Sequence, residues 1–190
     1  MNRTARIVLA ASLLLLAVTG CRRGGSYIWV QQDRYIPNLP AELRAYSGQP
    51  IFLTTFINAA ANTDRDYYYY SPDGAVVYEG SPNLSGYLRD VFAKGMTALG
   101  MQVVLDPPQP LDPRVAELQL AIRSWDDYAL HFQIVLNKRQ ATVYQQEYRV
   151  EVPRIQTDDA RILEDRAYRI DDMALGGMLA DQGFQAAFFQ

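Results

Sequence analysis

Cysteine and histidine are almost missing from this chain. Its 190 residues hold one of each, Cys21 and His131. A single cysteine excludes a disulfide within the chain, and the pair cannot assemble a zinc site. The local signatures of catalysis are missing as well. There is no Gly-x-Ser-x-Gly turn and no glycine-rich phosphate loop. No acidic spacing matches a calcium loop. Positive charge is not in excess either: 18 Lys and Arg stand against 21 Asp and Glu, a net charge of -3. Nucleic-acid binding draws on a basic stripe, so no nucleic-acid partner is expected. Beyond Val18 no apolar run approaches the roughly 20 residues of a membrane-spanning helix.

What the chain does have begins at its start. Arg3 and Arg6 precede an apolar run from Ile7 to Val18 centred on Leu13 to Leu16. A basic start, a short apolar stretch and small residues before a cleavage point mark a secretory signal, here residues 1–20. The tetrapeptide Val18-Thr19-Gly20-Cys21 resembles the lipobox of bacterial lipoproteins. The resemblance implies acylation of the Cys21 thiol by a diacylglyceryl group and cleavage that leaves Cys21 as the new N-terminus, usually with a further fatty acyl chain. Two or more acyl chains hold a protein stably on a membrane at about 0.8 kcal/mol per buried methylene. The expected location is the bacterial cell envelope, facing the periplasm. Arg22, where Asp would favour inner-membrane retention in enterobacterial sorting, points to the outer membrane. Loss of residues 1–20 removes Arg3 and Arg6 and leaves 170 residues with a net charge of -5.

Residues 21–50 read as lipidated N-terminus, tether and lead-in, and residues 51–190 as a single domain. Arg22 to Ser26 is polar and flexible in composition. Tyr27 to Val30 reads as a short edge strand or a docking patch, so Tyr27 and Trp29 either pack on the domain or form a partner-binding stripe. Ala41 to Tyr46 suits one helical turn. Ile51 to Ile57 reads as the first core strand, with apolar residues on both parities and hence covered on both faces. Tyr67 to Tyr70, the Pro72-Asp73-Gly74 turn and Ala75 to Tyr78 suit a hairpin. Four successive tyrosines put two rings on each face. One pair is expected to pack and the other to be exposed, which makes Tyr68 and Tyr70 candidates for partner contact.

Ser81 as N-cap and Pro82 as first helical residue open the clearest helix. Leu84, Leu88, Val91, Phe92, Met96 and Leu99 form its apolar face, and Gly100 ends it in a left-handed turn. Met101 to Leu105 returns as a strand, and the proline-rich 106–113 is a loop. Residues 116–124, 128–136 and 142–152 each alternate apolar and polar, the pattern of a three-stranded antiparallel meander with one wet face. Asp158 to Tyr168 suits a helix capped by Thr157 or Asp158. Asp171 or Asp172 can cap a last helix over 173–188, where Gly176, Gly177 and Gly183 weaken the helix and allow close packing. The expected fold is α+β, with an antiparallel or mixed sheet, a C-terminal meander and two main helices on one face.

His131 falls on the wet face of a strand without a partner for general-base work. The acidic pairs Asp64/Asp66, Asp126/Asp127, Asp158/Asp159 and Asp171/Asp172 fall in expected turns or helix starts, where a carboxylate satisfies free N–H groups. A hydrolase built on dispersed acids has no candidate pair. No catalytic residue, metal or cofactor is therefore expected.

The arrangement resembles that of the ABC-type transport auxiliary lipoproteins and related envelope-assembly lipoproteins. The resemblance runs through Ile51-Phe52-Leu53-Thr54-Thr55-Phe56-Ile57-Asn58, the helix from Leu84 to Gly100 leading into Met101-Gln102-Val103-Val104, and Ala116-Glu117-Leu118-Gln119-Leu120. It implies a non-enzymatic, lipid-anchored accessory protein of a cell-envelope transport or assembly complex. No functional residue of that family is matched securely enough to carry over. The alternative is a lipoprotein activator of a cell-wall-synthesising enzyme, a class that usually carries a long linker.

Overall fold

The computed structural model describes residues 26–64, 66–106, 112–113 and 115–190. The expected signal peptide, Cys21 and most of the proline-rich loop lie outside the described residues. Among the described residues, eight strands and three α-helices follow one another as β1 (Ser26–Val30), β2 (Pro50–Asn58), β3 (Tyr68–Tyr70), β4 (Val76–Gly80), α1 (Leu84–Ala98), β5 (Gln102–Val104), β6 (Ala116–Trp125), β7 (Ala129–Lys138), β8 (Ala141–Glu151), α2 (Ala160–Ala180) and α3 (Gln182–Phe189). A 3-10 turn over Ala41–Tyr46 stands where a helical turn was expected. The fold is α+β.

The meander forms as the alternation dictates. β6, β7 and β8 pair antiparallel in sequence order. Leu118, Leu120 and Ile122 of β6 and Leu130, Phe132, Ile134 and Leu136 of β7 are buried. β2 and β5 join them on the parallel side, giving the order β5-β2-β6-β7-β8. The expectation that β2 is covered on both faces does not hold. Its register slips between Leu53 and Phe56, so the parity of the core-facing residues changes along the strand. Ile51 and Leu53 are buried before the slip, and Phe56 meets Phe92 edge-on at 5.8 Å after it. Ile57 is left exposed. A β-bulge inserts one residue and re-aims those that follow, which explains apolar residues on both parities of a one-sided strand.

The expected single sheet is two sheets. β1, β4 and β3 form a separate three-stranded sheet, with β1 parallel to β4 and β3 antiparallel to it. Residues 26–50 are thus packed into the fold and are not a tether: Ile28, Val30, Tyr35, Leu43 and Tyr46 are buried.

α1 buries Leu84, Tyr87, Leu88, Val91, Phe92 and Met96, the expected stripe with Tyr87 added. Fully burying such a side chain contributes about 1.5–3 kcal/mol. Its N-cap is Asn83, not Ser81: the Asn83 side chain accepts from Gly86 N–H at 2.7 Å. Gly100 follows the helix at φ 86°, in the left-handed turn expected of it. At the C-terminal end one helix runs through the stretch where two were expected. α2 starts at N-cap Asp159, which accepts from Arg161 N–H, and continues to Ala180. The break falls at Asp181, which caps α3 by accepting from Phe184 N–H. Asp171 and Asp172 lie inside α2 and cap nothing.

Candidate functional site

The register of the small sheet brings the four partner-contact candidates together. Residues paired in register share a face. Tyr27 pairs with Val77 and Val77 with Tyr70, while Trp29 pairs with Glu79 and Glu79 with Tyr68. Two rows therefore cross the outer face, Tyr27–Val77–Tyr70 and Trp29–Glu79–Tyr68. At ordinary sheet spacings the rows are about 7 Å apart and each is about 10 Å wide. Tyr27 is 56% exposed and Trp29 52%, so both belong to a surface stripe and do not pack on the domain. Tyr68 and Tyr70 are half-buried. Tyr70 donates a 3.1 Å hydrogen bond to Asp64, and exposed Tyr67 lies 6.3 Å from Tyr68, ring to ring.

The opposite face of the same sheet explains why this one is open. Ile28, Val30, Tyr69, Val76 and Tyr78 point inward and are buried. Tyr69 stacks on Tyr78 and on Trp125, each at 4.7 Å. The expectation that the tyrosines divide into a packed pair and an exposed pair is thus only half met. Tyr69 packs alone, because Tyr67, on the same parity, precedes β3 and turns outward.

Beneath the small sheet lies a set of buried polar side chains. Tyr87 of α1 donates a 2.6 Å hydrogen bond to Asp171 of α2. Burial holds the Asp171 carboxyl well above the usual carboxylate range, outweighing the Tyr87 hydrogen bond, and the charge of Asp172 adds to the rise. Asp127 accepts from Arg166 at 2.8 Å. Burial pushes Asp127 up to about 6, outweighing the opposing pull of Arg166. Arg166 also donates to the Ile155 carbonyl at 2.6 Å and lies 4.6 Å over the Tyr128 ring. The neighbouring Asp172 accepts from the Tyr35 hydroxyl at 2.6 Å and from Asn38 N–H at 3.0 Å. These groups join α1 to α2, and α2 to the turn between β6 and β7, to the loop that precedes α2 and to the segment after β1. Asp127 lies in the expected turn, between β6 and β7, but is buried there; Asp171 and Asp172, expected at a helix start, lie inside α2. The signal that Asp171 is interior was available: it falls on the stripe Leu163, Ala167, Ile170, Ala174, Leu175, Met178.

The other acids act locally. Asp126 accepts from the N–H groups of Tyr128 and Ala129, both at 2.8 Å, and shapes the turn between β6 and β7. Asp64 exchanges backbone hydrogen bonds with Tyr68. His131 sits on the wet face of β7 with its Nε2 3.3 Å from Glu147, in a row of exposed charges that includes Arg149 and Glu151. Among the described residues no group of three or more His, Cys, Asp or Glu is placed to hold a metal ion. A hollow of about 250 Å³ beside α3 is lined by Gln49, Lys138, Phe188 and Gln190 among others, with no Asp, Glu or His side chain among the described residues that line it.

No family model and no curated protein matches the sequence. Among solved structures, the crystal structure of protein XCC0632 from Xanthomonas campestris, described by the family model DUF330, superposes with a TM-score of 0.55. The superposition covers 87% of this chain and 100% of that one, at 12% sequence identity. At that identity the likeness shows a shared fold and nothing about activity.

Proposed function

We propose that the protein is a lipid-anchored, non-enzymatic accessory protein of a bacterial cell-envelope transport or assembly complex. The observation that carries this reading is the position of the open aromatic face relative to Cys21. β1 begins at Ser26, five residues after the lipobox cysteine, and its Tyr27 and Trp29 head the two rows. A chain of five residues spans at most about 18 Å. The acyl chains on Cys21 would hold the folded domain directly at the membrane, on the periplasmic side of the outer membrane. Stiff rings with polar tips suit contact without chemistry, and the buried acids are engaged in tying α1 to α2 and α2 to the turn between β6 and β7. The wet face of the meander offers a second, polar surface for a protein subunit.

The same distance disfavours the cell-wall activator. Four residues between anchor and fold cannot carry the domain through a wall mesh, which calls for a long linker.

The test is an affinity pull-down of the full chain from native membranes, with Cys21→Ala as control. Co-purification of transporter or envelope-assembly subunits with the acylated chain, lost in the control, is the expected result. A chain that carries no lipid and stays in the soluble fraction whether or not Cys21 is present would overturn the reading. Recovery of a cell-wall synthase would replace it with the activator.

A further inference from the structure

We infer that the outer face of the small sheet rests on the bilayer surface, with Tyr27, Trp29, Tyr68 and Tyr70 at the level of the lipid headgroups. The inference rests on the lipid-anchor reading and goes beyond it: the anchor says that the domain is held at a membrane, and the face says which side is turned to it.

Reach makes the first argument. The chain from Cys21 to Ser26 spans at most about 18 Å, and the row Tyr27–Val77–Tyr70 lies at that end of β1. A short link gives the face a high effective concentration at the lipid surface, so even weak affinity is enough to orient the domain. The chemistry of the rings makes the second. Tyr and Trp are the side chains enriched where hydrocarbon meets water, because each presents an apolar body and a polar tip. Three tyrosines, one tryptophan and Val77 make up all but one position of the two rows.

The remaining position, Glu79, sets the depth. It is in register between Trp29 and Tyr68, and a carboxylate is costly to carry into hydrocarbon. The face therefore lies among headgroups and does not insert into the acyl chains. Arg22 and Arg23, between the anchor and β1 in sequence, suit the anionic lipids of such a surface.

The chain carries its own reporter. It has two tryptophans; Trp29 is 52% exposed and Trp125 is 1% exposed. The full chain, with acylation of Cys21 established by mass, is placed in vesicles of phosphatidylethanolamine and phosphatidylglycerol containing phosphatidylcholine brominated at shallow or deep acyl positions. The expected result is quenching of tryptophan emission, at least twofold stronger for shallow than for deep bromine, and loss of the quenched component in Trp29→Phe. Tyr27→Glu, which adds a further carboxylate to the face beside Glu79 and the Asp64 bonded to Tyr70, should weaken the quenching at least twofold while the protein stays vesicle-bound and folded. An acylated chain whose Trp29 is untouched by bromine and open to aqueous iodide would overturn this inference and leave the anchor reading standing. A chain that is not acylated would overturn both. Shielding of Trp29 from iodide in native membranes but not in lipid vesicles would assign the face to a protein subunit instead and overturn the inference.

Discussion

Tyr87 and Asp171 meet in the interior, both fully buried, through a 2.6 Å hydrogen bond that ties α1 to α2. The Tyr87 hydroxyl donates to one carboxylate oxygen, and the other, Oδ1, has no hydrogen-bond partner among the described residues. A buried carboxylate in that position is costly as an anion, which is why burial drives Asp171 toward its protonated form.

Stability should accordingly fall as pH rises. A carboxyl raised on folding makes the native state bind more protons than the unfolded one. Its contribution is fully present below the unfolded value near 4 and is lost as pH rises through the folded value. For Asp127, raised from 3.8 to about 6, about 1.4 kcal/mol per unit makes the loss about 3 kcal/mol between those limits. Asp171 acts in the same direction. Asp171→Asn keeps an acceptor for Tyr87 and removes the ionisation. It should stabilise the full chain at pH 8, with little effect at pH 4. Urea unfolding at the two pH values measures the difference; equal shifts at both would refute the assignment.

Asp127 and Arg166 should behave as a buried pair. Arg166→Ala leaves Asp127 facing the interior without its cation and removes the stack on Tyr128 and the bond to the Ile155 carbonyl. Breaking one side of a buried pair costs about 3–5 kcal/mol. Replacing both, as Asp127→Leu with Arg166→Met, should recover most of that loss, because neither charge then remains to be desolvated. A double variant no more stable than Arg166→Ala in denaturant titration would show that the arginine's other contacts dominate.

The glycines of the helices separate by what surrounds them. A side chain at Gly95 of α1 would collide with Leu175 of α2, which is fully buried. Nothing lies within 4 Å of the corresponding position at Gly177. Gly177→Ala should therefore raise stability by up to about 1 kcal/mol through helix propensity alone. Gly95→Ala has the same propensity gain but forces Leu175 to move, at about 1–3 kcal/mol, so its net effect should be destabilising. Thermal unfolding of the two variants gives opposite shifts if α1 and α2 pack this closely.

These positions show what could be read before the fold was known. The strict alternation over 116–152 and the stripe from Leu84 to Leu99 each carry one period, and both formed as read. Gly100 took its left-handed turn because no other residue type adopts it as easily. Two features had no local signal. The parallel pairing of β1 with β4 joins segments about fifty residues apart, and nothing in either segment specifies the other. The slip in β2 mixed its parities. The cap of the last helix is expected at Asp171 or Asp172, because acids favour helix starts, whereas Asp181 holds that role; here the apolar stripe of α2 carried the signal that the helix runs on. The aromatic face was legible only as separate pieces: Tyr27, Trp29, Tyr68 and Tyr70 were candidates singly, and the register of three strands put them on one surface.

Asp181 gives the pH response of opposite sign. Its Oδ1 accepts from Phe184 N–H and from the Tyr144 hydroxyl, each at 2.9 Å, and Tyr144 in turn meets the Tyr148 hydroxyl at 2.9 Å. One carboxylate thus caps α3 and fixes it against β8. Burial alone would raise its pKa, but the hydrogen bonds overcome that and hold it below the usual carboxylate value. Such a group contributes stability above its unfolded value, and that contribution is lost as pH falls through the folded one. Removing a cap of this kind as Asp181→Ala should cost about 1–2 kcal/mol at pH 7. Asp181→Asn retains an acceptor for both donors and should cost only a few tenths. The cost of the alanine variant should begin to shrink as pH falls below about 4, where the unfolded chain takes up a proton before the native carboxylate does, and should shrink further as pH falls through the native value. Urea midpoints for wild type and both variants at pH 7 and pH 3.5 test this, and a cost for Asp181→Ala that does not change with pH would show that the carboxylate charge plays no part in holding α3 to the sheet.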